Sequence, residues 1–332
     1  MLIPTPRGIA LQLEDEQLIL DGTGDLVFIS HAHSDHSGGA KRSKRLIASE
    51  ETIDLIHARN YADSSESRGK LVRETNFKYE LLDAGHVLGS KQLHLSNNFS
   101  LTYTGDFKTR DSLTNKGAAI KHADLLLMEC TYGLPFYQFP PVTQVYEQMA
   151  HWVNQQLLKG SSIIIGGYSL GKAQEVIKLL NDFIQITPVV SSEIYRVSQV
   201  YRKYGINLQM INETSQEGKE TLGSQFVAVV PHHFCNFSYA RRLSEFYGTD
   251  VRCALATGWA VDGNKSADAS FCLSDHCDFN DLIDYVAQVS PNRVIAMHGF
   301  EKEFSRELKK RGFNAEPLSS LKMKPQKMLL EY

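Results

Sequence analysis

The chain has 332 residues, with 35 basic and 38 acidic side chains and a formal net charge of −3. Apolar residues make up 42% of it and charged residues 22%, which excludes a disordered, collagen-like or coiled-coil protein. At about 150 residues per domain, the length predicts roughly two domains. No apolar run approaches the 18 or so residues that a membrane helix needs, so we expect no membrane span.

Short apolar runs separated by turn residues fill the first 130 residues and predict a strand-rich half built largely from hairpins and short connections. These runs cover residues 17–20, 26–29, 79–82, 93–95, 101–103 and 125–128. The N-terminal residues lack the features of a secretory leader, and the five cysteines form no C-x-x-C pair. We therefore expect reduced thiols and a cytoplasmic location.

The spacing of apolar residues then changes. Within residues 144–158, apolar residues recur at intervals of three and four, which predicts a helix. Strands and helices alternate after it, which is typical of an α/β unit with a parallel sheet. The predicted strands cover residues 163–165, 189–190, 226–230, 269–273 and 293–297, and the helices cover 172–180, 197–204 and 280–289. The predicted domains are residues 1–135, an insert at 136–270, and a completing part at 271–332.

Three imidazoles and a carboxylate occur within six residues, directly after the apolar run 26–29. They are His31, His33, Asp35 and His36 in H-A-H-S-D-H. Imidazole and carboxylate are the ligands that suit zinc, and the following S-G-G allows the donors to spread. The alternative is a histidine-rich surface loop, but unpaired imidazoles would be costly to bury.

One metal needs about four donors, so other segments must supply ligands. A polar residue follows each of four apolar runs, namely His86, Asp106, Glu129 and His298. The ends of neighbouring strands bring such residues to one sheet edge, where functional loops commonly lie. Each residue also has an alternative interpretation when it is considered alone. The two histidines could be core or surface residues, the aspartate could be a turn residue, and the glutamate could be a buried, paired carboxylate.

Several motifs resemble those of known families. H-A-H-S-D-H, D-A-G-H and T-G-D resemble the metal motifs of the metallo-β-lactamase fold. M-E-C-T-Y-G, L-S-D-H and M-H-G, with a domain-sized insert between the first and second, resemble the β-CASP nucleases of that superfamily. Segments 129–141, 167–174, 256–259 and 271–278 are similar to the bacterial DNA ligase-associated exonucleases.

The resemblance covers nearly the whole chain and implies an α/β fold: a four-layer αββα metallo-β-lactamase domain whose metal edge is capped by an inserted α/β β-CASP domain. It also implies two zinc ions, with manganese as an alternative. One zinc would be bound by His31, His33 and His86, the second by Asp35, His36 and His298, and Asp106 would bridge both. Asp21 would orient the metal loop, although an ordinary turn aspartate is the alternative.

The implied reaction is phosphodiester hydrolysis at the two metals. A bridging hydroxide would attack phosphorus, with Asp35 and Asp106 among the catalytic ligands. His276 would protonate the leaving oxygen, and Glu129 would orient its imidazole and raise its pKa. The alternative for His276 is a polar loop histidine without a catalytic role.

Two segments are candidates for substrate contact. Residues 163–172 predict a strand, a glycine-rich turn and a helix start, which can present N–H groups to phosphate, so we expect contacts from Ser169 and Lys172. The basic cluster after the metal loop suggests Lys41 and Arg42. Ordinary helix initiation and a solvated basic face are the respective alternatives.

The resemblance favours a zinc-dependent DNA exonuclease that digests single strands or duplex ends from the 5′ end, in DNA repair with a DNA ligase and a helicase. The main alternative is an RNA-processing β-CASP nuclease of the mRNA 3′-end type, which His298 in M-H-G favours. A small-molecule hydrolase and a non-catalytic scaffold are further alternatives. The long insert disfavours the first of these, and the intact ligand set disfavours the second.

Overall fold

The computed structural model describes residues 2–5, 8–13, 15–59, 69–96, 99–263 and 266–321. The last part of the predicted completing domain, residues 322–332, lies outside them. The strands are β1 Leu2–Thr5, β2 Gly8–Leu13, β3 Glu16–Leu20, β4 Leu26–Phe28, β5 Arg45–Ile47, β6 Lys70–Leu71, β7 Tyr79–Asp83, β8 Lys91–Ser96, β9 Ser100–Tyr103, β10 Leu125–Cys130, β11 Ser162–Gly167, β12 Val189–Val190, β13 Ile211–Asn212, β14 Val227–Pro231, β15 Val251–Ala256, β16 Ala269–Phe271, β17 Arg293–Gly299 and β18 Ala315–Pro317.

The α-helices are α1 Ser34–Ser37, α2 Glu50–Arg59, α3 Val142–Leu158, α4 Lys172–Ile184, α5 Ser192–Lys203, α6 Gln216–Leu222, α7 Phe237–Tyr247, α8 Phe279–Val289 and α9 Glu301–Lys310. Short 3-10 helices occupy His232–Phe234, Gly258–Asp262 and Leu318–Ser320. None of the described helices is both long enough and apolar enough to cross a bilayer.

The first sheet has the order β1-β2-β3-β4-β5-β6 and is mixed. Strands β1 to β3 pair antiparallel, whereas β3 to β6 pair parallel. The predicted hairpins and short connections therefore describe β1 to β4, but not the connections from β4 to β5 and from β5 to β6. Parallel neighbours need crossover connections, and α1 and α2 lie in two of these connections.

The second sheet has the order β18-β17-β10-β9-β8-β7 and is also mixed. Its central strand β10 pairs parallel with β9 and with β17, which comes much later in the chain. The third sheet, β13-β12-β14-β11-β15-β16, is wholly parallel and is made from residues 162–271 alone. The predicted parallel sheet is thus present, and the chain returns to the second sheet after it.

Apolar side chains connect these sheets in separate clusters. One cluster takes buried residues from both mixed sheets, such as Phe28 of β4 and Leu127 of β10. A second joins β10 and β17 to α8 and α9 through residues such as Leu126, Val286 and Phe304. A third contains buried residues of the first sheet, α2, and the third sheet with α3, α4 and α5. The sheets and helices therefore share continuous apolar packing.

The predicted helices are all present, with shifted ends that have local causes. The helix predicted at 197–204 begins at Ser192, because Ser191 caps it by accepting a hydrogen bond from the Ile194 amide. The helix predicted at 172–180 continues until Gln185 turns left-handed with φ 57°. The strand predicted at 269–273 ends at Phe271. Helices α2, α6, α7 and α9 were not predicted.

Candidate metal centre and active site

The candidate ligands meet at one edge of the two mixed sheets. Strands β7, β9, β10 and β17 of the second sheet all run in the same direction, since β7 and β9 are both antiparallel to β8. Their carboxyl ends carry His86, Asp106, Glu129 and His298. The H-A-H-S-D-H segment follows β4 of the first sheet. Parallel strand direction therefore brings residues from distant parts of the sequence together.

Four of these side chains form a compact group. One ligand atom from each of His31, His33, His86 and Asp106 lies within 4.8 Å of all the others. The Nε2 atoms of His31 and His86 each lie 3.0 Å from His33 Nδ1. They lie 3.6 and 3.8 Å from Asp106 Oδ2. Three imidazoles and one carboxylate match the donor set of a tetrahedral zinc site.

Hydrogen bonds from His86 and His33 to backbone carbonyl groups determine which nitrogen of each ring faces the other candidate ligands. The Nδ1–H of His86 donates to the carbonyl oxygen of Asp275 at 2.9 Å, and the Nε2–H of His33 donates to the carbonyl of Leu170 at 3.2 Å. In the neutral rings, His86 Nε2 and His33 Nδ1 therefore carry lone pairs and face each other at 3.0 Å. Two buried lone pairs at this distance repel unless a cation lies between them, so the residues fit a metal ion.

Burial keeps these imidazoles in the form that binds metal. Burial, followed by the charges of neighbouring imidazoles, holds the pKa values of His31 and His86 well below the usual range. Burial also lowers the pKa of His33 to about 4. All three rings are consequently neutral at pH 7, with a lone pair available for a divalent cation.

The second predicted ligand set lies beside the first but is more open. His36 Nε2 is 3.5 Å from Asp106 Oδ1 and 3.7 Å from Asp35 Oδ2. The His298 ring centre lies 5.5 Å from that of His36. Asp35 and His298 are exposed, and His298 has a left-handed backbone with φ 56°. Asp106 therefore touches members of both predicted sets.

Asp21 accepts several hydrogen bonds beneath the metal loop. Its carboxylate accepts from the Ser30 amide at 2.7 Å, the Ser30 hydroxyl at 2.5 Å and the Tyr103 hydroxyl at 2.8 Å. It also lies 2.7 Å from His36 Nδ1. Burial alone would lower the pKa of His36, but the charges of Asp106 and Asp21 and the bond to Asp21 raise it to about 10. Asp21 thus holds the Nδ1 side of the His36 ring.

Glu129 and His276 form a second buried pair against Asp106, and the three offer ligand atoms within 4.8 Å of one another. His276 Nδ1 lies 2.7 Å from Glu129 Oε1, and Glu129 also accepts from the amides of Thr131 and Phe107. Burial alone would lower the pKa of His276, but the charge of Glu129 and its hydrogen bond raise it to about 9. The imidazole therefore keeps its proton at neutral pH, as a general acid requires.

A cavity of about 350 Å³ lies over these groups. Its lining includes residues to which the sequence assigned no individual role: Arg59, Tyr132, Tyr168, Thr257, Trp259 and Asp275. All of these except Arg59 lie in the motifs that carry the family resemblance. Asp275 was identifiable only by its position beside His276, whereas Arg59 ends α2 and carried no motif. Aromatic rings, positively charged side chains and candidate metal ligands therefore line the same cavity.

The predicted substrate contacts have different positions. Lys172 lines the cavity but is buried, with its Nζ 2.8 Å from Asp275 Oδ1. Ser169 is half-buried, and its neighbour Tyr168 lines the cavity instead. Neither Lys41 nor Arg42 lines it. The structure therefore brings Lys172 to the site but not the basic pair.

No protein-family model matches the chain. The chain is 34% identical over 298 residues to "Probable DNA ligase" of Opitutus terrae, covering 87% of the chain and 28% of that protein. It is 30% identical over 250 residues to "Probable RNase MJ4" of Methanocaldococcus jannaschii, covering 63% and 57%. It is 21% identical over 350 residues to "Endoribonuclease YSH1" of Eremothecium gossypii, covering 85% and 43%.

The chain thus spans between 28% and 57% of the length of these relatives. The metal motifs lie at one edge of the two mixed sheets. The chain belongs to the β-CASP family of the metallo-β-lactamase superfamily.

Proposed function

We propose that the chain is a metal-dependent phosphodiester hydrolase, and more specifically a DNA exonuclease that digests from the 5′ end. The position of Asp106 carries this proposal. Its carboxylate belongs both to the group of three neutral imidazoles and to the group of Glu129 and His276. A cation site and a protonated imidazole are therefore adjacent in one cavity, which is the arrangement that hydrolysis of a phosphodiester requires.

His31, His33, His86 and Asp106 would hold one divalent cation, and Asp35, His36 and His298, with Asp106, a second. The imidazole-rich set suits zinc, while manganese is the alternative. When bound, such a pair of cations lowers the pKa of water and stabilises charge on phosphate oxygens. The carbonyl groups of Leu170 and Asp275 hold two of the rings so that their lone pairs face inward.

His276 supplies the proton for the leaving oxygen. Glu129 fixes the Nδ1 side of its ring, so Nε2 is the nitrogen that transfers the proton. Two backbone amides hold the Glu129 carboxylate in place, so the pair is rigid before substrate binds. Lys172 acts through Asp275, whose carbonyl oxygen orients His86. We therefore assign Lys172 a positioning role rather than direct phosphate contact.

DNA is the substrate we favour. The relative named "Probable DNA ligase" matches 87% of this chain, which supports a functional link to a DNA ligase. The proposal also includes a role in DNA repair, with a helicase as a further partner, in the cytoplasm. The second candidate is an RNA nuclease. It is supported by the relatives named as an RNase and an endoribonuclease, and by His298, whose ring lies beside His36 in the cavity.

The architecture that accompanies this proposal is a four-layer αββα domain with an inserted β-CASP domain at residues 136–270. The apolar cluster shared by the two mixed sheets, with α2 on one outer side and α8 and α9 on the other, supports the layers. The third sheet supports the insert, since all its strands lie between β10 and β17 in sequence.

A gel assay tests the proposal. The zinc-loaded protein is incubated with matched 5′-labelled DNA and RNA oligonucleotides, beside a His276→Ala variant. We expect DNA to be shortened preferentially, with the label released first as mononucleotide, and the variant to be much slower. Preferential RNA cleavage would instead support the second candidate function, an RNA nuclease. No cleavage of either substrate would overturn the proposed activity.

A further inference from the structure

A row of side chains leads away from the cavity across the carboxyl edge of the third sheet. We call it the aromatic stripe, and it consists of Tyr168, His232, His233, Phe234, Tyr239 and Arg242. Tyr168 follows β11 and His232 follows β14, and these strands are parallel neighbours with Gly167 opposite Pro231. The sheet register therefore places the first two rings of the stripe side by side.

Ring contacts connect the stripe without a gap. The Tyr168 and His232 ring centres lie 4.8 Å apart, and those of His232 and His233 lie 5.6 Å apart. The next steps, from His233 to Phe234 and from Phe234 to Tyr239, are 4.2 and 5.3 Å. The Arg242 guanidinium lies over the Tyr239 ring at 5.5 Å. Tyr168 itself lines the cavity, so the row is continuous with the candidate active site.

Most of these side chains are exposed, whereas Tyr239 is half-buried and packs against an apolar cluster of the third sheet. Tyr168 is 47% exposed and Phe234 is 44% exposed, and His232, His233 and Arg242 are also exposed. The short 3-10 helix His232–Phe234 holds three successive rings at the surface, and Asn236 then caps α7 by accepting from the Tyr239 amide. Contiguous exposed rings at a cavity mouth indicate a binding surface.

We propose that the aromatic stripe binds the unpaired strand of a polynucleotide whose end occupies the cavity. This inference rests on the proposed function, because it needs a nucleic acid in the cavity. Unpaired bases stack on aromatic rings whatever their sequence, and an arginine adds a cation for the backbone or a base face. Paired bases keep their faces inside the duplex, so the stripe selects single strands.

Binding of labelled oligonucleotides tests this assignment. Fluorescence anisotropy is measured at one fixed low salt concentration on zinc-loaded protein that carries His276→Ala in every sample, because this substitution slows cleavage and leaves the proposed metal ligands in place; this protein is the unchanged reference. The probes are a 20-nucleotide oligothymidylate, a 4-nucleotide oligothymidylate, a 20-unit oligomer that is abasic beyond four nucleotides, and a 20-nucleotide oligouridylate. The variants are Phe234→Ala and the double variant His232→Ala/His233→Ala. Phe246→Ala is the control, since Phe246 lies on α7 outside the stripe and is 80% exposed.

We expect both stripe variants to bind the 20-nucleotide DNA at least about tenfold more weakly, with binding of the 4-nucleotide probe unchanged. The abasic oligomer should bind the unchanged protein as weakly as the full oligomer binds the variants. Comparison of the affinities for the 20-nucleotide oligothymidylate and oligouridylate shows whether the aromatic stripe binds DNA or RNA more tightly. Thermal unfolding confirms that each variant is folded.

If both variants keep their affinity for the 20-nucleotide probes, the proposal that the aromatic stripe binds nucleic acid is wrong, while the proposed nuclease activity is unaffected. A loss of equal size in Phe246→Ala would also overturn the proposal for the aromatic stripe. No binding of any probe by the unchanged protein would instead count against the proposed function itself.

Discussion

His276 Nδ1 lies 2.7 Å from Glu129 Oε1, although the two residues are 147 positions apart in the sequence. Glu129 is in the central strand β10, and His276 precedes α8. The glutamate is buried, and burial alone would raise its pKa, but the charge of His276 and the bond between them lower it to about 2. The two groups therefore stabilise each other's charged forms inside the cavity.

Replacement of Glu129 by glutamine should lower the pKa of His276 in the metal-free protein below about 9, because it removes the largest charge that opposes burial and leaves only those of Asp106 and Asp275. NMR titration of the imidazole measures this shift. An unchanged His276 pKa in Glu129→Gln would contradict the assigned cause.

The same pair predicts a pH dependence of stability. The raised pKa of His276 contributes stability that is full below about 6.5 and is lost as the pH rises through about 9. The lowered pKa of Glu129 contributes stability that is full above about 4.5 and is lost as the pH falls through about 2. The free-energy difference between the metal-free protein and Glu129→Gln should therefore be greatest between about pH 4.5 and 6.5. Urea unfolding across pH measures it, and a difference independent of pH would refute this prediction.

Asp21→Ala should lower the free energy of unfolding by about 2–4 kcal/mol, since it removes the acceptor of the Ser30 and Tyr103 donors and the partner of His36. Asp25→Ala is the matched control. Asp25 is exposed and pairs only across the surface with Lys44, so its loss should cost under about 1 kcal/mol. Chemical denaturation compares the two, and equal losses would show that Asp21 is an ordinary turn residue.

Lys172→Met should destabilise the metal-free protein by about 3–5 kcal/mol, because Asp275 would be left as a buried charge without its partner. Lys178→Met on the same helix breaks a more exposed pair with Asp182 and should cost under about 1 kcal/mol. Adding Asp275→Asn to Lys172→Met should recover part of the loss. If Lys172 served only to bind substrate, its replacement would leave the unfolding midpoint unchanged.

Asp106→Asn and His276→Ala should separate metal binding from proton transfer. The first variant should lose bound metal and cleavage together, because Asp106 touches both predicted ligand sets. The second should keep its metal and lose rate by about 10²–10⁴-fold. Metal analysis of purified protein, alongside the cleavage assay, distinguishes them. Equal metal loss in both variants would show this division of roles to be wrong.

Patterns of buried side chains explain which elements could be predicted from the sequence. Strand β10 has an unbroken apolar run and was predicted within two residues of its end. Helix α9 was missed because charged residues dominate it and only Phe304, Ser305 and Leu308 are buried. Strand β15 was also missed, since an exposed Arg252 interrupts its apolar sequence. Short or highly charged elements depend on tertiary packing, which the sequence does not display.

The candidate ligands were identifiable because each lies in a motif or directly after a strand. The groups that orient them were not, because they act through space. The Leu170 carbonyl bonds to His33 across 137 positions, and the Asp275 carbonyl bonds to His86 across 189. Every residue has a backbone carbonyl group, so residue type does not reveal which carbonyl will orient a ligand. Such partners can be identified only in the folded structure. Lys41 and Arg42 follow the metal loop in sequence but do not line the cavity, so their contact with substrate stays a prediction.

The pairing of β10 with β17 also sets an order for biosynthesis. The thiol of Cys130 and the His298 carbonyl, which join these strands, are 168 positions apart. At roughly 5–20 residues per second, a ribosome needs on the order of ten to thirty seconds to make that interval. Throughout it, β10 lacks one of its two neighbours and His298 is absent, and His276 is added only near its end. The emerging polypeptide therefore cannot assemble the complete cavity until its last quarter has been translated.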